Sequence, residues 1–234
     1  MSLTKKAAKR RVPRAMSKYD LVLYDLDGTL WDSIPLIMEC FHKAYEVVLG
    51  GTDRTDEDLM SYIGRPLADT FESHDEDTRK RLVDAYIEYN HKRLGENAIP
   101  IFPGIYDMLS KIKSLGFCQG VVTSKREYPA MLTINFLDLD GYFDTKVFRE
   151  ATERAKPHGD PLIYAAKTMG ITDMSRVLYV GDAVPDLLSA RDAGADFALV
   201  GWTKMNREEL EGLKPDYIIE VPEYLPCIIT GSEL

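Results

Sequence analysis

Short apolar runs near residues 20–24, 118–122, 145–148, 177–180, 196–200 and 216–219 punctuate the chain, and from about residue 104 onward they alternate with stretches of helical apolar spacing. Runs of that length between helical stretches are the signature of strands in a doubly wound α/β fold with a parallel sheet. Between residues 33 and 103 the alternation stops. There Pro35 to Leu49, with Ile37, Phe41, Ala44, Tyr45 and Val48 at helical intervals, predicts an amphipathic helix, and residues 56–62, 67–71 and 77–94 read the same way. The pattern therefore predicts a core formed by residues 19–32 and 104–234, with a small helical bundle over residues 33–103 inserted into it.

Three of the strand-like runs end in residues that carry chemistry. The first, Leu21-Val22-Leu23-Tyr24, leads into Asp25-Leu26-Asp27-Gly28-Thr29. Residues i and i+2 of a strand point the same way, and Gly28 permits a sharp turn just beyond, so Asp25 and Asp27 are able to converge on one point. Two carboxylates at that range raise each other's pKa unless a cation lies between them, which implies a metal, a cationic partner or proton-transfer work. The second run reaches Val121-Val122-Thr123-Ser124 and ends in hydroxyls. The last, Val177-Leu178-Tyr179-Val180-Gly181, delivers Asp182 and, four residues on, Asp186; Pro185 suits a first helical turn and Gly194 its end. In strands of a parallel sheet these positions fall at carboxyl ends, where ligands bind. Between them Lys156-Pro157 precedes a helical segment through Leu162, Ala165, Ala166 and Met169. No Gly-Lys-Ser/Thr P-loop and no GxGxxG occur in the sequence.

Taken in order, DxDGT, an apolar strand ending in Thr, Lys-Pro and GDxxxD resemble the four motifs of the haloacid dehalogenase-like hydrolases over residues 19–220. The resemblance implies a Rossmann-like core and a phosphatase reaction. By it, Asp25 would attack phosphorus and carry a transient aspartyl-phosphate, and Asp27 would hand protons to the leaving group and take them from water. Thr123 and Ser124 would hold phosphoryl oxygens, and Lys156 would neutralise the carboxylates and the phosphoryl group. Mg²⁺ would be held by Asp25, the main-chain carbonyl of Asp27 and Asp182, while Asp186 orients water or Lys156 from behind. The helical insert resembles the cap of the phosphoglycolate phosphatase and β-phosphoglucomutase-like branch, with hinges near Asp32-Ser33 and residues 101–104. One departure is His158-Gly159-Asp160-Pro161 after Lys-Pro, where close relatives more often carry a shorter proline-containing pattern.

Within the insert, Arg65 stands between Gly64 and Pro66, and its bidentate fork suits a substrate carboxylate or second phosphate. Lys125 and Arg126, just past the second motif, either assist in the same way or form an ordinary hydrated basic loop.

Composition bounds the rest. A chain of 234 residues, 45% hydrophobic and 29% charged, is long enough for one core and a smaller domain. Cys40, Cys118 and Cys227 read as buried free thiols of a reducing compartment, and His42, His74, His91 and His158 lack metal-ligand spacing. Residues 1–18 hold seven Lys or Arg and no acid, so the chain's net −9 becomes about −16 for the body once those seven are set aside. The arm reads as disordered, the body disfavours nucleic acid as a main partner, and no apolar run is long enough to span a membrane. The expectation is a cytoplasmic enzyme, monomer or homodimer, that hydrolyses a small phosphorylated metabolite, with phosphoglycolate first. A phosphosugar mutase or an inorganic pyrophosphatase on the same site is the alternative, and a binding module acting through the basic arm stands in a different class.

Overall fold

The aliphatic runs form six strands where the pattern predicts them. In the computed structural model, which describes residues 17–63, 67–96 and 99–232, they are β1 (Leu21–Tyr24), β2 (Cys118–Val122), β3 (Thr145–Val147), β4 (Val177–Gly181), β5 (Asp196–Val200) and β6 (Tyr217–Ile219). Every neighbouring pair is parallel, in the order β3-β2-β1-β4-β5-β6. The chain thus winds outward from β1 to β3, returns to place β4 on the other side of β1, and continues to β6. Strand order reverses between β1 and β4, and a crevice opens there at the carboxyl ends.

Both central strands are buried along their whole length, so they read as continuous apolar runs rather than alternating ones. Alternate residues nevertheless serve opposite faces. Val22, Tyr24, Leu178 and Val180 pack with apolar residues of α5 (Ile105–Ser114), α6 (Glu127–Phe136) and α10 (Leu225–Thr230). Leu21, Leu23, Val177 and Tyr179 pack with those of α7 (Asp160–Thr168), α8 (Val184–Ala193) and α9 (Arg207–Gly212). Three layers result, helices on both faces of one sheet.

Between β1 and α5 the chain leaves the sheet for α1 (Ile34–Leu49), α2 (Asp56–Met60), α3 (Leu67–Thr70) and α4 (Glu76–Gly95). These helices bury a cluster of their own: Phe41, Ala44, Tyr45, Leu59, Phe71 and Leu82. Phe41 and Tyr45 meet Phe71 edge to face, with centroids 6.0 and 5.7 Å apart. The two legs joining this insert to the core run side by side, Asp32 N–H donating to Pro100 O at 2.9 Å and Phe102 N–H to Leu30 O at 3.1 Å, while Trp31 and Ile101 form an antiparallel bridge. On its far side α4 packs against α6, where the His91 and Tyr128 rings lie 5.1 Å apart.

Helix ends depart from the pattern by one or two residues. A capping box between Thr55 and Asp58 starts α2, but the helix stops at Met60 with Ser61 as its C-cap, short of Tyr62. Asp75 caps α4, its side chain accepting from Thr78 N–H, so the helix begins at Glu76. The thiols also differ from expectation, since only Cys40 is buried while Cys118 and Cys227 are half-buried. The expectations for Arg65 and for the arm over residues 1–16 lie outside the described residues. The arm's last residue is described, and Lys18 pairs there with Asp196. Among the described residues no helix is long and apolar enough to cross a membrane.

Candidate active site

The first acid is an extension of the sheet. Asp25 N–H donates to Val180 O at 2.9 Å, one step beyond the last residue of β1. The Leu26 carbonyl then accepts from Thr29, Leu30 and Trp31 N–H groups, turning the chain tightly. Gly28 lies at φ +80°, and a Cβ there would sit 2.2 Å from Asp182 Oδ2. Glycine is required both for the backbone conformation and for the approach of the β4 acid to the β1 turn.

Lys156 is the hub of the buried charges. Its Nζ donates to Asp25 Oδ1 at 2.9 Å, to Asp186 Oδ1 at 2.6 Å and to the Tyr179 hydroxyl at 3.0 Å, and its side chain is only 5% exposed. Tyr179, fully buried in β4, donates its own O–H to Val122 O at 2.8 Å, which ties Lys156 to the end of β2. Asp186, in the first turn of α8, accepts with Oδ2 from the N–H groups of Ala183 and Asp182, at 3.1 and 3.3 Å. Asp182 completes the group, and one carboxyl oxygen each from Asp25, Asp182 and Asp186 lie within 4.8 Å of one another. Thr203 Oγ1 donates to Asp182 O at 2.9 Å.

Asp27 points elsewhere. Its Oδ1 accepts from Trp31 Nε1 at 2.7 Å, and Lys125 Nζ lies 3.1 and 3.0 Å from its two oxygens. The half-buried Asp27 and the buried Asp25 therefore sit in opposite electrostatic settings. Burial raises the Asp25 carboxyl to about 6 despite Lys156. Burial acts in the same sense on Asp27, but Lys125 and the Trp31 N–H outweigh it and hold this carboxyl below its ordinary value. Burial, then Asp186 and Asp25, push Asp182 well above the usual carboxylate range. Burial alone would lower Lys156; Asp186 and Asp25 hold it above its ordinary value instead.

Three buried carboxyls thus face one buried ammonium, a surplus of negative charge among oxygen donors only. That donor set fits a hard divalent cation such as Mg²⁺. The group opens into a cavity of about 530 Å³ whose walls include Thr123, Ser124 and Lys125, and whose insert side is formed by Ile34, Ile37 and Ile63.

All the acids and the lysine marked in the sequence, with Thr123 and Ser124, therefore border one space, whereas Arg65 lies outside the described residues. Lys125, left open between an assisting residue and a hydrated loop, turns inward onto Asp27, with 14% of its side chain exposed. Two residues escaped sequence reasoning. Tyr179 had a signal, a hydroxyl within a buried aliphatic run, which must find a partner. Trp31 had none that separates it from an ordinary core aromatic.

The model of the haloacid dehalogenase-like hydrolases matches residues 22–200. Over 213 residues the chain is 32% identical to the pyrophosphatase PpaX of Bacillus cereus, covering 90% of this chain and 97% of the relative. A haloacid dehalogenase-like hydrolase of Streptococcus pneumoniae superposes with a TM-score of 0.79 at 26% identity, covering 91% of this chain and 99% of the other. A predicted phosphoglycolate phosphatase of Haemophilus somnus reaches a TM-score of 0.81 at 22% identity, covering 92% and 99%, and shows the shared fold. With its parallel sheet, its clustered acids and these matches, the chain belongs to the haloacid dehalogenase-like hydrolase family, among that family's phosphatases.

Proposed function

We propose that this enzyme is a Mg²⁺-dependent phosphohydrolase of small phosphorylated metabolites that works through an aspartyl-phosphate on Asp25. The observation that carries the reading is the convergence of Asp25 and Asp27, Lys156, and Asp182, from three separate segments, on one cavity beneath the helical insert. Asp25, Asp182 and the Asp27 main-chain carbonyl would hold the metal, which when bound supplies the positive charge that lets a phosphate dianion approach these acids.

The chain's own groups do the rest. Thr123 and Ser124 hold phosphoryl oxygens, and Lys156 offsets the charge that builds on them. An Asp25 oxygen bonds to phosphorus as the bond to the leaving oxygen breaks with its electron pair, and Asp27 gives that oxygen a proton. Water then attacks phosphorus while Asp27 takes its proton back, releasing inorganic phosphate and restoring Asp25. The insert acts as a cap whose Ile34, Ile37 and Ile63 exclude water from the crevice, with its hinge where the two connecting legs pair.

For substrate, pyrophosphate moves ahead of phosphoglycolate. The relatives named pyrophosphatase share 31–35% identity over 86–92% of this chain, whereas the solved neighbours titled phosphoglycolate phosphatase share only 18–22%. The test is phosphate release with Mg²⁺ from pyrophosphate, phosphoglycolate, sugar phosphates and nucleoside monophosphates. We expect pyrophosphate to exceed the others in kcat/KM by about tenfold or more, with Asp25→Asn and EDTA each abolishing release. Isomerised sugar phosphate without free phosphate would replace the hydrolase reading by the mutase one.

A further inference from the structure

The Asp27 carboxylate is held by Lys125, by the Ser33 side chain and by Trp31, and the last belongs to the hinge. Trp31 is fully buried, and its Nε1–H donates to Asp27 Oδ1 at 2.7 Å. The main chain of the same residue bridges Asp27 on one side and Ile101, on the returning leg of the insert, on the other. Its neighbours extend this pairing, Asp32 N–H to Pro100 O at 2.9 Å and Leu30 O to Phe102 N–H at 3.1 Å. A phenylalanine would occupy much of the indole's space with an apolar body, yet it would supply no donor. An indole buried here spends its single N–H on the one carboxylate that, in the reaction proposed above, handles protons.

We infer that Trp31 is a positioning residue for Asp27, fixing the proton-donating carboxyl from within the hinge. The inference rests on the proposed phosphohydrolase reading and adds to it a residue outside the four motifs. A carboxyl that must reach a leaving oxygen has rotations to lose. The indole N–H removes the rotation about its final bond, while Lys125, which lies near both oxygens, fixes its place without choosing between them. Because Trp31 is itself part of the hinge pairing, its indole keeps Asp27 in register with the legs that carry the insert.

The consequence depends on the leaving group. An alkoxide leaves poorly without a proton, whereas p-nitrophenolate leaves as the anion and needs none. For Trp31→Phe the expected result is a fall in kcat/KM of about tenfold for an alkyl phosphomonoester, a fraction of the ~10²–10⁴ that positioned proton transfer contributes, with less than about a threefold fall for p-nitrophenyl phosphate. The alkyl substrate is whichever of phosphoglycolate, the sugar phosphates and the nucleoside monophosphates of the panel above the wild-type enzyme cleaves fastest. kcat/KM is the quantity to compare, because it reports the step in which the leaving group departs. Equal losses for both substrates, or none for either, would overturn the inference while leaving the phosphohydrolase reading intact. A wild-type enzyme that releases phosphate from neither monoester nor pyrophosphate would overturn that reading and the inference with it, and one that cleaves pyrophosphate alone would overturn the inference as a leaving-group effect.

A second measurement covers the case in which Trp31→Phe does not fold. Trp31 and Trp202 are the chain's two tryptophans, and the Trp202 Nε1–H donates to Thr29 O at 3.0 Å rather than to a carboxylate. In ¹⁵N-labelled protein, Asp27→Asn is expected to shift one of the two indole N–H resonances strongly upfield and leave the other in place. Two unmoved resonances would overturn the contact on which the inference stands.

Discussion

At the residue scale, the charges around Lys156 make the protein's stability depend on pH and on metal in a predictable direction. Asp25, ordinarily at 3.8, stands at about 6 in the fold, chiefly through burial, and Asp182 is raised in the same sense. Folding therefore favours their protonated forms. The stability this confers is complete below about pH 4 and is lost as pH rises through about 6 and beyond. A divalent cation binds only the ionised forms, so it competes with those protons and offsets more of the penalty at higher pH. The rise in Tm produced by a fixed concentration of Mg²⁺ is accordingly expected to be small near pH 5 and to grow by several degrees towards pH 7.5. It should disappear in Asp182→Asn. A Mg²⁺ shift in Tm that is flat across that range would separate the metal from these carboxyls.

At the element scale, the junction of β4 and α8 shows what a sequence makes legible and what it does not. The strand was readable because both its faces are buried, and the helix start because Pro185 suits a first turn and Gly194, at φ +76°, its end. The same signals located all six strands. They failed at α2, whose helix stops before Tyr62, and they were silent on Trp31 and on which partners the Tyr179 hydroxyl meets. Those hydrogen bonds join residues from different segments or lie within a turn, and hydrophobic period does not encode which polar atoms meet. The convergence of the four motifs was legible as order and spacing, but the inward turn of Lys125 onto Asp27 became visible only in three dimensions. Gly181 is a further case. A Cβ on it would lie 2.6 Å from Asp186 Cβ and 2.8 Å from Asp186 Cγ, so Gly181→Ala must push the first turn of α8 off the strand. Asp186 would then leave Lys156, whose ammonium now donates to its Oδ1 at 2.6 Å. The expected outcome is a loss of about 2–3 kcal/mol in stability by denaturant titration, typical of overpacking, with a fall in phosphate release well beyond what the lost stability accounts for. Full activity in a folded Gly181→Ala enzyme would show that α8 tolerates the shift and that Asp186 does not hold Lys156 in place.

At the scale of the whole molecule, the apolar interior is divided. Two clusters back the opposite faces of the sheet, and a third, around Phe41 and Phe71, lies within the helical insert, with Tyr86 packed against both the insert's cluster and the core's. The insert reaches the rest through the paired legs at Trp31 and Ile101, through α4 on α6, and through Leu36, Cys40 and Leu94, which are buried in the core's own cluster, whereas β1 and β4 are locked by parallel pairing on both sides. An element with a core of its own should open without the sheet, as cooperative units in proteins do. Phe41 is the place to test this, because its ring lies 6.0 Å from Phe71 and 5.1 Å from Tyr86 and is 3% exposed. Phe41→Ala is expected to cost about 3–5 kcal/mol where it acts. If the insert opens as a unit, that cost falls on its local stability. Amides of α1 and α4 should then exchange with solvent about 10²–10³ times faster, while those of β1, β2 and β4 keep most of their protection. Equal acceleration across the sheet and the insert would mean that the two fold as one body, and the proposed opening of a cap over Asp25 would then need an energy close to that of unfolding the enzyme.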